Sequence, residues 1–277
     1  MIAHLRLAVF WLIHLAALAA FWTGVRPGDL VLCAVLYAVG MFAVTAGYHR
    51  YFSHRTYKLG RVSQFVLAWL AQSTAQKSVL WWAANHRHHH RHSDTERDLH
   101  SPRQRGFWYS HVGWILDPAT DEANLDYVRD WQKYPEIVWL HRHELLPPIV
   151  LGVVVWAIGG WPSLVVGFVW SLVVLWHGTF TINSLSHVFG WRRYETRDDS
   201  RNNPLLALIT LGEGWHNNHH HFMGSCRQGF RWWEFDITYY VIRLLGVVGI
   251  ARDIVEPPAH IVQNEPHPNR AMPAPAE

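Results

Sequence analysis

Long apolar stretches alternate with strongly polar ones along the chain. Four windows, 7–22, 30–48, 145–158 and 161–182, read as membrane-crossing helices, although the first and third fall short of the roughly 20 residues that a span needs. A fifth window, 62–82, is interrupted by Gln64, Gln72, Ser73, Thr74, Gln76, Lys77 and Ser78. Hydrocarbon penalises such groups, whereas a half-buried helix lying in the interface accommodates them, so an interfacial helix is expected over 62–82. The stretch 256–277 is rich in Pro, Asn and Ala and is expected to be a disordered tail behind one domain spanning 1–255.

Charge orients these windows. Of the 24 Lys and Arg, Arg6 precedes the first window, 13 lie from Arg50 to Arg142 and nine follow Asn183, leaving Arg26 alone between the first two windows. Basic residues collect on the cytoplasmic side of membrane proteins. The distribution fits an all-α integral membrane protein with four transmembrane helices in two hairpins. Both termini and a helical cap then lie in the cytoplasm, at the inner (cytoplasmic) membrane. A secretory signal peptide, with Arg6 as its charged region and a small-residue cleavage site near 15–20, is the rival for the first window. Its cleavage would leave an odd number of spans and split the histidine groups across the membrane.

Composition adds the chemistry. The chain has 21 His and 17 Trp but two Cys, so a disulfide framework and a thiolate zinc module are both excluded. A net charge of +3 with no arginine-rich run gives no nucleic-acid signature. The histidines fall into groups: His49 and His54 frame HRYFSH, His86, His89 and His90 make HxxHH, His216, His219 and His220 repeat it, and His187 closes NSLSH. On a helix, positions i, i+3 and i+4 share a face, so each HxxHH is expected to aim three imidazoles at one point. His49 and His54, five apart, are expected to point in different directions and to flank such a site. Isolated histidines such as His14 and His141 read as solvated or hydrogen-bonded, and His88, His92, His100, His111, His177 and His221 as background to the groups.

Nine imidazoles in matched spacings imply a metal site, and nine exceed the four ligands of a structural zinc. Two ions are expected. An all-imidazole shell suits iron, zinc, copper or nickel, and two oxygen-activating irons beside a bilayer would point to attack on a lipid chain.

The chain resembles the membrane-bound fatty acyl desaturases of the stearoyl-CoA and bacterial acyl-lipid type. The likeness runs through VTAGYHRYFSHRTYK from Val44, NHRHHHRHSDTERDLHSP from Asn85, RGFWYSHVGW from Arg105, NSLSHVFG from Asn183, LGEGWHNNHHHF from Leu211 and WWEFD from Trp232. The resemblance implies two Fe2+ ions held by His49, His54, His86, His89, His90, His187, His216, His219 and His220, with Asn183 acting through a water. It implies O2 as co-substrate and a cis double bond, by family habit at Δ9. It also implies a separate electron donor, a ferredoxin, a rubredoxin or a cytochrome b5-like protein. Gln76, Trp82 and Thr179 match positions that bend the acyl tunnel, and Tyr37 and Met41 match positions that close it, Met41 favouring C16 over C18 chains. Ala84 and Asn85 stand where acyl-CoA enzymes carry Arg-Asp, so a chain esterified to membrane glycerolipid is kept beside acyl-CoA as substrate.

A di-iron fatty acyl hydroxylase would use the same ligands and return a hydroxyl. A histidine-rich metal transporter would need ionisable groups inside the bilayer, where the four windows carry almost no Asp or Glu. Glu213, Glu234, Asp94, Glu96 and Asp98 are candidates for accepting histidine N–H groups, with helix capping or surface pairing as the alternative. For Arg91, Arg103, Arg105, Arg192 and Arg193 a solvated positive face is the default.

Overall fold

The computed structural model describes residues 2–263, so the expected tail over 264–277 lies outside the described residues. The first apolar window begins earlier than its hydropathy suggests, as helix α1 (Ile2–Ala17), and breaks at Leu18 and Ala19 before a single turn, α2 (Ala20–Thr23). Pro27 opens α3 (Pro27–Phe42), where a missing N–H costs nothing in the first turn. The chain then continues without a break into a π-helical segment, Ala43–Ser53, that is buried throughout.

The window 62–82 is not one helix. It divides into α4 (Arg61–Gln72) and α5 (Val79–His92), with Ala75 and Lys77 at positive φ between them. The polar residues that marked the window cause the division. Ser73 and Thr74 turn their hydroxyls back on the carbonyls of Trp69 and Ala71, and Ser78 caps α5 by accepting from the N–H of Trp81 at 3.2 Å. Such a cap contributes about 1 kcal/mol.

After the short helices α6 (Pro102–Arg105) and α7 (Trp114–Leu116), α8 (Pro135–Arg142) leads into α9 (Leu146–Pro162). Gly160, with φ 71° and ψ −164°, breaks the helix there, a conformation that suits glycine. A Cβ placed on Gly152 would lie 3.0 Å from Phe168 and 3.7 Å from Leu164. In a straight helix residues 152 and 168 would stand some 24 Å apart, so the chain doubles back at Gly160. The returning arm is π-helical over Ser163–Val169 and continues as α10 (Trp170–Asn183). At the reversal, Arg26 donates to Gly159 O at 2.8 Å, to Ser163 Oγ at 2.9 Å and to both oxygens of buried Asp29 at 2.7 and 2.9 Å. The turn before α3 and the turn after α9 therefore meet at one end of the molecule.

Two segments, Pro27–Ser53 and Leu146–His187, are long and apolar enough to cross a membrane, and the second contains the Gly160 reversal. Their outward residues, among them Val31, Val35, Ile149 and Val153, are exposed. Inside, α3 and α10 approach so closely that a Cβ on Gly40 would fall 2.7 Å from Leu175. Trp176 bridges α10 to the α4–α5 loop by donating to Thr74 O at 2.7 Å.

The polar end is built by the π-helical segment, α5, the 3-10 turn Leu185–His187, α11 (Pro204–Ile209), α12 (His216–His221) and α13 (Ile237–Val247). Strand β1 (Lys58–Leu59) pairs antiparallel with β2 (Ala251–Arg252), tying the chain after the second window to the end of the cap. The first part of the expected tail is ordered: α14 (Ala259–Gln263) is held where Tyr194 Oη donates to Val262 O at 2.9 Å.

Candidate metal centre

The nine grouped imidazoles come together as two clusters. His49, His54, His86, His90 and His219 form the first and His89, His187, His216 and His220 the second, with the candidate ligand atoms of each within 4.8 Å of one another. Neither HxxHH aims all its imidazoles at one point, as the spacing suggested. Helix α5 sends His86 and His90 to the first cluster and His89 to the second, while α12 sends His216 and His220 to the second and His219 to the first. Positions i and i+4 stay together and i+3 lies far enough round the helix to serve the neighbouring cluster. The exchange between two helices of opposite allegiance keeps the clusters side by side.

His49 and His54 also depart from the α-helical expectation, because both belong to the first cluster. The segment that carries them is π-helical, and the N–H of His54 bonds to His49 O at 3.2 Å. The wider winding places i and i+5 on one face, where an α-helix would separate them.

Within the first cluster the Nε2 atoms of His49 and His219 lie 3.0 Å apart, those of His54 and His86 2.8 Å, of His86 and His90 2.9 Å, and of His90 and His219 3.0 Å. In the second, Nε2 of His187 and His216 are 3.1 Å apart. Two nitrogens each about 2.1 Å from one ion and at right angles would be about 3.0 Å apart, so the donor set fits a metal. His220 adds an orphan: its Nε2 is buried without a hydrogen-bond partner while its Nδ1 is already held. Burial, reinforced by neighbouring imidazoles, pushes His54, His86, His90, His216 and His219 well below the ordinary histidine value, which keeps their nitrogens neutral and available.

Carboxylates fix four of the rings. Asp98 accepts from His89 Nδ1 at 2.9 Å, Asp94 from His187 Nδ1 at 2.9 Å, Asp198 from His220 Nδ1 at 2.7 Å, and Glu213 from His49 Nδ1. A bond at Nδ1 selects the tautomer whose Nε2 lone pair faces the cluster. Burial alone would raise these acids. The facing imidazoles outweigh it, holding Asp94, Asp98 and Asp198 below the usual carboxylate range and, with Arg50, drawing Glu213 down to about 2. Arg50 is fully buried and donates to Glu213 Oε1 at 2.9 Å, to Asp236 at 2.9 and 3.0 Å and to Cys226 O at 2.7 Å.

Among the acidic candidates, Glu234 serves Asn218, Arg193 and the N–H of Arg231 instead of a histidine, and Glu96 is exposed. Asp198 was not expected from the sequence. It stands in a polar run, TRDDS, and only its fold-dependent closeness to His220 distinguishes it from Asp199.

Asn183 ends α10 four residues before His187, and its carbonyl accepts from Ser110 Oγ at 2.8 Å. Trp82 is stacked between Tyr48, at 5.4 Å, and His86, at 4.9 Å. Thr179 Oγ1 lies 3.4 Å from Gln76 Oε1, and Gln76 Nε2 is buried without a partner. Met41 is 0 % exposed and Tyr37 Oη donates to Ile209 O at 2.5 Å. Both lie over Gly178, where a Cβ would stand 3.0 Å from Met41 Cε and 3.1 Å from Tyr37 Oη. Ala84 and Asn85, at 1 % and 8 % exposure, are covered by the fold.

A family model described as fatty acid desaturase matches residues 27–244. The chain is 36% identical over 259 residues to an sn-1 stearoyl-lipid 9-desaturase of Synechocystis, covering 92% of this chain and 81% of that one. It is 34% identical over 254 residues to an sn-2 palmitoyl-lipid 9-desaturase of Nostoc, covering 90% and 89%. It is 37% identical over 247 residues to an icosanoyl-CoA 5-desaturase of Limnanthes douglasii, covering 88% and 69%.

Proposed function

The chain belongs to the fatty acid desaturase family and is a fatty acyl desaturase, and from that premise we propose that it places a cis double bond at Δ9 of a saturated chain esterified to membrane glycerolipid. The observation that carries this reading is the pair of imidazole clusters at the polar end of long apolar helices. The glycerolipid carrier is favoured over CoA because Ala84 and Asn85 offer no guanidinium to an anionic carrier. Relatives named for lipid 9-desaturation point the same way.

Two iron ions are assigned to the clusters, with His49, His54, His86, His90 and His219 holding one and His89, His187, His216 and His220 the other, Asn183 assisting through a water. When bound, they supply the reduction of O2 that desaturation requires, with electrons from a separate ferredoxin, rubredoxin or cytochrome b5-like donor. The protein's own share is positional. Carboxylates hold the rings and burial keeps them neutral. A methylene offers nothing to hydrogen-bond, so its place must be set by the shape of the tunnel. Trp82, braced by Tyr48 and His86, is assigned to the bend with Gln76 and Thr179, and Tyr37 and Met41 to the closed end.

Four spans in two hairpins, with the cap and termini in the cytoplasm, are supported by the Arg26 junction of the two turns and by the gathering of basic residues on the histidine side. The test is the fatty-acid profile of an aerobic bacterial host without a desaturase, expressing the chain beside His219→Ala with a supplied electron donor. New Δ9 monoenes on phospholipid that vanish in the variant are expected. Hydroxylated chains, or monoenes confined to acyl-CoA, would refute the reaction or the carrier.

A further inference from the structure

Helix α5 carries His86, His89 and His90 within about one turn, yet His89 alone serves the second cluster. Asp98 Oδ1 accepts its Nδ1–H at 2.9 Å, and that carboxylate is itself fixed by the N–H groups of Asp94, at 2.8 Å, and His100, at 3.3 Å. One hydrogen bond fixes a point on the ring. It sets the tautomer and one edge of the ring and leaves the tilt of its plane open, with the His90 and His86 centroids 5.4 and 6.1 Å away.

A flat neighbour removes this freedom. His100, 6 % exposed, lies against His89 with centroids 4.3 Å and planes 30° apart. Trp114 stands behind His100 at 4.8 Å and stacks on Trp81 at 5.9 Å and 16°. Trp81 is two turns before His89 on the same helix. The column from Trp81 through Trp114 and His100 to His89 thus begins and ends on α5, with the 100–114 segment as its brace. Trp82 gives His86 the corresponding backing for the first cluster, at 4.9 Å and 23°.

We propose that His100 is a positioning residue whose ring face, backed by Trp114, assigns His89 to the second cluster and so keeps two ion sites distinct. His100 Nδ1 is 4.0 Å from Asp98 Oδ1, and His89, Asp98 and His100 offer ligand atoms within 4.8 Å of one another, so ligation by His100 is the alternative that a variant keeping only the flat face separates from positioning. The inference rests on the reading that each cluster holds an ion.

The test is Co2+ titration of the purified full-length chain in detergent, reading equivalents bound and the visible spectrum. The wild type is expected to take two equivalents. His100→Ala should weaken one of them ten- to a hundredfold and leave the other, the usual scale for losing a group that orients a ligand. His100→Phe, which keeps a flat face and loses both nitrogens, should restore the second equivalent. Two wild-type-strength equivalents in His100→Ala overturn the proposal, as does a folded His100→Phe that binds as weakly as the Ala variant. If His100→Ala fails to fold, His100→Leu is read in its place with the same outcomes. A wild type that does not take two equivalents overturns the two-ion reading and this inference with it.

Discussion

The Nδ1–H of His49 ends on one oxygen of Glu213, and the other oxygen of the same carboxylate holds the guanidinium of Arg50, the next residue in the chain. One side chain thus ties an imidazole of the first cluster to a fully buried cation. Replacing Glu213 by Gln leaves Asp236 as the only carboxylate on Arg50, beside the carbonyl of Cys226, and a single neutral oxygen where two charged ones served His49 and Arg50. Losing one partner of a buried ion pair costs about 3 kcal/mol. Glu213→Gln is expected to lower the melting temperature and to weaken one metal equivalent ten- to a hundredfold, and normal values of both would refute the role given to Glu213.

Asp198 makes the same kind of bond to His220. Asp198→Asn offers Nδ1 an amide oxygen without its charge. Metal binding at the second cluster should fall, with the first equivalent retained, and Asp199→Asn should behave as wild type. Equal effects of the two substitutions would show that general surface charge, not the bond to His220, matters.

Met41 faces Gly178 and not lipid. Met41→Ala should shift products from C16 towards C18, and Gly178→Ala, which pushes on Met41 and Tyr37, should shift them towards shorter chains. An unchanged fatty-acid profile in both would remove Met41 from the closed end. The Ala variant also leaves a cavity costing about 2–5 kcal/mol, so expression is read alongside.

Cys226 is 0 % exposed, and burial pushes its thiol up to about 12 despite the opposing charge of Arg50. The unfolded thiol ionises near 9, so above that pH the folded chain holds a proton that the unfolded chain has lost. Stability from this group is whole below pH 9 and declines as pH rises towards 12, at most by about 1.4 kcal/mol per pH unit. Melting temperatures between pH 8 and 10 should fall less steeply for Cys226→Ala than for the wild type. Identical slopes would contradict the buried thiol.

The apolar windows and the histidine groups are legible in the sequence because each is local: a run of Val and Leu, or a spacing of three and four. What escapes local reading depends on the winding of the backbone or on residues far apart. The π-helical turn between His49 and His54 changes which spacing shares a face, and nothing in HRYFSH announces it. The HxxHH pattern gives a common side of a helix but not the boundary between two clusters, which Asp98 and His100 draw for His89. Asp198 becomes distinguishable from Asp199 only once His220 is beside it. The window 62–82 differs in another way: its polar residues suggest one half-buried interfacial helix, whereas Ser73 and Thr74 bond back to the main chain at the end of α4 and Ser78 starts α5.

Arg26 joins the turn before α3 to the turn after α9, at the end opposite the imidazoles. The two long apolar segments are pinned together at one end and meet the imidazole clusters at the other. The four hydrogen bonds of Arg26 resist separation of the two turns. Any parting of these helices is restrained at the Arg26 end and least restrained beside the histidines, where the chemistry lies.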